Sequence, residues 1–406
     1  MTLTITTPEE VGLSSRALAR IDTFLEEQYL APQKIAGALT LVARRGKIAF
    51  LSPLGRMDRE RDEPMRVDTI VRIYSMTKPI TSVALMQLHE RALFQLSDPV
   101  HKWIPAFEHL RVYRQGRHPA FVTDAAQRPM TVRDLLTHQS GLTYGIMSRT
   151  GLDSAYRKLK ILTEPTLAAF IEKLATLPLE FSPGTAWNYS VATDVLGYLV
   201  ERMSGEPLDT YFHKHIFEPL GMVDTAFSVP ADKLERFAAS YMRGSDGRLQ
   251  LLDDPRKSPW AGPTTLFSGG GGLVSTAHDY LRFAEMLRRG GTLDGARILG
   301  PRTVELMARN HLTNGSDLGK AAVALPGDIR AEGVGFGLGL AVVLDPARAQ
   351  TPSNAGELSW GGMASTAFWV DPREELTVVF LTQLVPSSTY DFRGPLRSLV
   401  YGAIDV

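Results

Sequence analysis

Ser75-Met76-Thr77-Lys78-Pro79-Ile80 is the stretch on which the fold turns. Proline is favoured in the first turn of a helix, so Pro79 marks a helix start directly after the serine. Positions i and i+3 share a helix face, which brings Lys78 alongside the Ser75 hydroxyl. The helix N-terminus favours negative charge developing nearby. A weak nucleophile, a base one turn away and a positive dipole end together make an acyl-transfer device. Four residues in isolation more often describe a helix cap followed by a surface lysine, so the surrounding sequence has to decide.

Working outward, apolar positions Ile80, Val83, Ala84 and Leu88 predict a helix over Pro79–Ala92. Upstream, Ser14–Glu27 reads as an amphipathic helix. Ala38–Ala43 and Ile48–Leu51 read as a hairpin turning at Arg44-Arg45-Gly46-Lys47, with Gly46 supplying the turn conformation. Near the other end, Ala364–Val370 and Leu376–Thr382 flank the turn Asp371-Pro372-Arg373-Glu374. A β-like stretch at Gly335–Leu344 precedes them, and a helix over Arg393–Ile404 follows. The middle is predominantly helical, with candidates at Val132–Leu136, Leu167–Leu174, Ala192–Met203, Leu208–Ile216 and Ala277–Leu287. There is no internal repeat. The pattern implies an α/β architecture whose sheet is assembled from both chain ends, with a mainly helical insertion between them.

Two further stretches matter. Trp187-Asn188-Tyr189-Ser190-Val191 opens a helix, and Leu358-Ser359-Trp360-Gly361-Gly362-Met363 precedes a strand. With Ser75-Met76-Thr77-Lys78, and in this order, they resemble the motifs of the serine β-lactamase and penicillin-binding superfamily, most of all its family VIII carboxylesterases. The fungal statin-type acyltransferases share the same motifs. The resemblance extends through Leu135–Leu142, Pro219–Met222 and Ser268–Leu273, so it covers nearly the whole chain.

The resemblance implies a β-lactamase-like fold. Residues 1–96 and 265–406 would form a discontinuous α/β domain, residues 97–264 a mainly helical one, and the active site would occupy the cleft between them. It implies Ser75 as nucleophile, Lys78 as its partner and Tyr189 as the tyrosine of Tyr-x-Asn. Backbone N–H groups of Ser75 and Met363 would form the oxyanion hole, and Trp360-Gly361-Gly362 would line the substrate pocket where β-lactamases carry Lys-Thr-Gly. Tyr189 could take the Ser75 proton or relay one to the leaving alcohol, and coupled groups can share a proton. Tyr144 occupies a position that lines the acyl pocket in the esterases, with core packing as the alternative. Asp194, five residues after Tyr189, either supports the site from behind or forms a simple salt bridge. No cofactor or metal is implied.

The departures shape the substrate. Val191 replaces the Asn of Tyr-x-Asn, and Trp360 replaces the Lys of Lys-Thr-Gly, removing a cation that would meet a carboxylate. Both favour an uncharged ester, short in its acyl part by resemblance, over a β-lactam. Passage of the acyl group to an alcohol is the nearest rival. A β-lactamase or D-amino-acid peptidase is the second, and a silent scaffold or ligand sensor the third.

Bulk properties exclude other classes. Of 406 residues, 44 are Lys or Arg and 44 are Asp or Glu, so no net field recruits nucleic acid or an anionic membrane. The absence of Cys removes thiol catalysis, disulfides and thiolate metal sites. No apolar run approaches the roughly 18 residues of a membrane span, and no signal-peptide pattern is read at the N-terminus, so a cytoplasmic location is expected. No Gly-x-Ser-x-Gly elbow occurs. His213 and His215 lack a metal-binding spacing and read as surface or packing residues, and His138 reads as a structural hydrogen-bonding group. Ser268–Gly272 lacks the ending of a phosphate loop and reads as a tight turn by the active-site floor.

Overall fold

A computed structural model describes residues 5–146, 149–325 and 330–405. Helix α1 (Ser15–Leu25) begins at Ser14, whose side chain accepts from the Ala17 N–H. Strands β1 (Gly37–Arg44), β2 (Lys47–Asp58) and the short β3 (Glu63–Pro64) follow, then α2 (Thr77–Glu90), α3 (Ala192–Ser204) and α4 (Ala277–Arg288). The chain closes with β4 (Val334–Phe336), β5 (Ala341–Val343), β6 (Leu358–Gly361), β7 (Ala367–Asp371), β8 (Leu376–Thr382) and α5 (Arg393–Tyr401).

The eight strands form one sheet in the order β4-β5-β6-β7-β8-β1-β2-β3. Every pairing in it is antiparallel. The first and last parts of the chain meet where β1 pairs with β8, Leu41 opposite Val379. The β1–β2 turn places both Arg45 and Gly46 at positive φ (54° and 77°), the geometry that matches the twist of the strands it joins. Side chains alternate across β8: Leu376, Val378 and Phe380 face the layer of α1 and α5, while Val379 and Leu381 join the larger core on the other face.

Two expectations about strands needed correction. β2 runs well beyond Leu51, because Pro53 pairs opposite Leu39 where, among the described residues, its other flank is unpaired, and an open flank tolerates proline. Gly335–Leu344 is a hairpin, β4 and β5, and not one strand. Its turn needs glycine: Gly339 has φ +91°, and a Cβ there would overlap the Ser82 hydroxyl on α2. The stretch between residues 97 and 264 is not uniformly helical either. Two hairpins, Arg111–Arg117 with Ala120–Ala125 and Ser240–Arg243 with Leu249–Asp253, lie within it. Among the described residues no helix is long and apolar enough to cross a membrane.

Candidate active site

The chain approaches the nucleophile through a buried strand pair, Val71–Arg72 with Val274–Ser275, then bends sharply. Tyr74 sits at φ +42°, a left-handed conformation that costs energy for a non-glycine residue and turns Ser75 outward. Ser75 precedes the first residue of α2 by two positions, so its Oγ lies at the positive end of that helix.

Around Ser75 the three motifs converge. Tyr189 Oη lies 2.6 Å from Ser75 Oγ, and Lys78 Nζ lies 3.2 Å from it. Lys78 is 1% exposed and also meets the Tyr144 hydroxyl at 3.1 Å and the Gly270 carbonyl at 2.6 Å. A carbonyl can only accept, so Lys78 donates to Gly270 in any protonation state; the two hydroxyls can each donate or accept. An ammonium therefore finds three acceptors, and a neutral amine can donate twice and take the proton of Ser75. Lys78 Nζ also sits over the rings of Tyr189 and Tyr144, at 4.7 and 5.1 Å from their centroids.

Tyr189 is held by its neighbours. Its ring packs against Trp187, Trp360, Tyr144 and His138. His138 is 1% exposed, and its Nδ1 lies 3.0 Å from the hydroxyl of Ser190, the residue next to Tyr189. Burial, reinforced by the charge of Lys78, holds the His138 imidazole well below its usual proton affinity, so it serves as a neutral structural group. Tyr144 is driven the other way: desolvation and the negative charge of Asp194 push its phenol well above the ordinary tyrosine range.

Strand β6 supplies the opposite wall. A Cβ on Gly362 would overlap the Ile73 carbonyl, so only glycine lets the backbone after β6 pass this close to the nucleophile turn. The next residue is Met363. Neither the Ser75 nor the Met363 N–H donates in any hydrogen bond among the described residues. Trp360 is 5% exposed, with its ring against Phe336 and Tyr189. Val191 is fully buried at the start of α3.

Tyr74, Ser75, Tyr144, Tyr189, Trp360 and Met363 all line one cleft of about 1070 Å³. One wall went unread in the sequence. Trp260 donates its Nε1–H to the Gly272 carbonyl at 2.9 Å and packs edge-on against Tyr74. Among the cleft-lining residues, Glu164 and Arg393 bear charge, and Glu164 is paired with Lys173. Arg393 at the start of α5 lies against Gly361. Asp194 forms no salt bridge among the described residues; it accepts from Ser268 Oγ at 2.5 Å and from the Gly270 N–H at 3.0 Å. His215 packs on Tyr211 and pairs with Glu206, well away from the cleft.

A serine flanked by lysine and tyrosine beneath two unengaged N–H groups matches one family's arrangement, and the β-lactamase family model matches residues 24–401. The chain belongs to the β-lactamase family. Within that family it is 34% identical to Esterase EstB of Burkholderia gladioli, over all of this chain and 99% of that protein. It is 37% identical to Protein Rv1367c of Mycobacterium tuberculosis, over 88% of each chain. The solved structure of EstCE1, described as a hydrolase with promiscuous acyltransferase activity, superposes with TM-score 0.80 at 29% identity and covers 95% of this chain and 99% of its own. Simvastatin synthase LovD of Aspergillus terreus, at 24% identity and TM-score 0.79 over 95% of this chain and 97% of its own, shares the fold. Trp360 and Val191, the two positions where the motifs depart from the family pattern by resemblance, are both buried.

Proposed function

We propose that this protein is a serine carboxylesterase that hydrolyses small, uncharged carboxylic esters through an acyl-Ser75 intermediate. The observation that carries the reading is the placement of Ser75 Oγ within hydrogen-bond reach of both Tyr189 and Lys78 at the head of α2. The Ser75 proton passes to this pair as Oγ attacks the ester carbonyl, and Tyr189 returns a proton to the leaving alcohol. Water then repeats the sequence on the acyl-enzyme. The N–H groups of Ser75 and Met363 receive the developing oxyanion, a contribution of about 10²–10³-fold per donor. Full-length similarity to Esterase EstB supports the ester as substrate. The apolar Trp360 in place of a lysine supports an uncharged one.

Acyl transfer to an alcohol is the second reading. It is favoured by the cleft, whose roughly 1070 Å³ exceeds what a short ester fills, and by the transferase activity described for EstCE1.

Turnover of p-nitrophenyl acetate and butyrate, compared between the wild type and a folded Ser75→Ala variant, tests the assignment. Release of p-nitrophenol that vanishes in the variant supports it, and equal release in both overturns it. Added alcohol that diverts the acyl group into a new ester would establish transfer.

A further inference from the structure

Asp194 is more than 98% shielded from solvent, carries a formal charge and makes no ion pair among the described residues. Its Oδ1 accepts two hydrogen bonds, from Ser268 Oγ at 2.5 Å and the Gly270 N–H at 3.0 Å, while its buried Oδ2 has no hydrogen-bond partner. An asparagine would satisfy the same two donors without a charge to desolvate, so the hydrogen bonds alone do not explain a carboxylate.

The other end of the Gly270 residue supplies the explanation. Its carbonyl is the 2.6 Å acceptor of Lys78 Nζ. Gly270 is thus gripped on its N–H by a buried anion and on its C=O by a buried cation. A Cβ at Gly270 would collide with Asp194 Oδ2 and crowd the Tyr144 hydroxyl, and a Cβ at Gly269 would press on the Thr193 carbonyl. Gly269 and Gly270 therefore form a thin connector threaded between α2 and α3, with no room for a side chain at either position.

We propose that Asp194 is a positioning residue that holds the Gly270 peptide, and through it Lys78, in register with Ser75, while supplying the buried countercharge of the lysine. This rests on the esterase reading and adds a second task to the start of α3: Tyr189 before the helix contacts Ser75 directly, and Asp194 on its first turn reaches Lys78 through Gly270. The charged and titratable groups facing Lys78 are Ser75 from its own turn, Tyr144 and His138 from the segment before residue 146, and Tyr189 and Asp194 from the approach to α3 and its first turn. Asp194 is the one anion among them. Lys78 acts on the Asp194 carboxyl in return, favouring its charged form against a larger effect of burial.

The test is Asp194→Asn, which is isosteric and keeps both hydrogen bonds. With p-nitrophenyl acetate we expect kcat to fall about 10- to 100-fold with KM changed less than about two-fold, because the variant removes the countercharge of Lys78 while keeping both hydrogen bonds, and that acts on the chemical step. The pH profile of kcat/KM is expected to shift to lower pH, since the Ser75–Lys78–Tyr189 cluster releases its proton more readily once the neighbouring anion is gone. Unchanged kcat and an unchanged profile in a variant that keeps its circular dichroism would overturn the proposal. Should the asparagine variant not fold, Ser268→Ala strips one hydrogen bond from the same carboxylate oxygen, and unchanged kcat in it would overturn the proposal equally. Failure of the esterase reading looks different: wild type and Ser75→Ala would then turn over the ester alike.

Discussion

Tyr189 Oη lies 2.6 Å from Ser75 Oγ, although 114 residues separate them in the chain. The contact joins the turn before α2 to the turn before α3. It leaves Ser75 between a phenol and an amine, so its proton has two acceptors and the leaving group a donor close by.

Replacing that phenol isolates its contribution. Tyr189→Phe keeps the ring that packs on Trp187 and Trp360, so the fold should persist while kcat for p-nitrophenyl acetate drops about 10²–10⁴-fold, the range for general acid–base help. Stopped-flow release of p-nitrophenol measures it, and a loss below about three-fold would remove Tyr189 from the chemistry.

Gly362 is where β6 passes closest to the nucleophile turn. Gly362→Ala puts a methyl group onto the Ile73 carbonyl and must push the Met363 N–H out of line. We expect kcat to fall about 10²-fold, the worth of one oxyanion donor, with little change in KM. Steady-state kinetics on the acetate ester reads both.

The His138 imidazole gives a pH signature in stability. Burial first, and the charge of Lys78 second, hold its proton affinity well below the usual value of 6.5. Below that pH the unfolded chain binds a proton that the native state refuses, so stability rises with pH through this window and is lost as pH falls below about 6.5. Thermal midpoints recorded from about pH 7.5 down to 5 should fall less steeply in His138→Gln than in the wild type. An identical slope would show that His138 is not the group responsible.

Arg72 secures the wall behind the nucleophile. It is fully buried, bonds Asp253 at 2.7 Å and the Ala238 carbonyl at 2.7 Å, and stacks over Phe237. Arg72→Met takes the guanidinium from the partly exposed Asp253 and leaves the buried Ala238 carbonyl without its donor, which should cost about 2 kcal/mol in urea unfolding, as loss of a hydrogen bond from a charged group does. A change under about 1 kcal/mol would show that the pair is not holding this wall.

What the sequence could reveal depended on whether the signal was local. Ser75, Lys78 and Tyr189 were legible because each sits in a short motif whose order is diagnostic, and β8 was legible because Leu376–Thr382 is rich in β-branched and apolar residues and bounded by a turn. The helix Gly151–Leu159 went unread although its signal is local: a capping box, Thr150 with Asp153, and Leu152, Ala155 and Tyr156 buried at helical spacing. The Gly335–Leu344 hairpin was masked by its glycines, whose role is close approach to α2 and to the Met307 carbonyl. Trp260 had no signal, and Ser268–Gly272 was placed by the site floor without revealing that the Gly270 carbonyl meets Lys78. A backbone carbonyl has no sequence identity, and Trp260 reaches the site only because Arg72 and Asp253 anchor the segment that carries it.

The central claim is that Ser75 carries the acyl group. Rapid mixing with p-nitrophenyl butyrate, acid quench and peptide mass spectrometry would locate the adduct directly. The account predicts a butyryl group on Ser75 alone, formed in step with the first p-nitrophenol released and absent from Ser75→Ala. A butyryl group on another side chain that turns over at the rate of catalysis, or undiminished hydrolysis by Ser75→Ala, would contradict it.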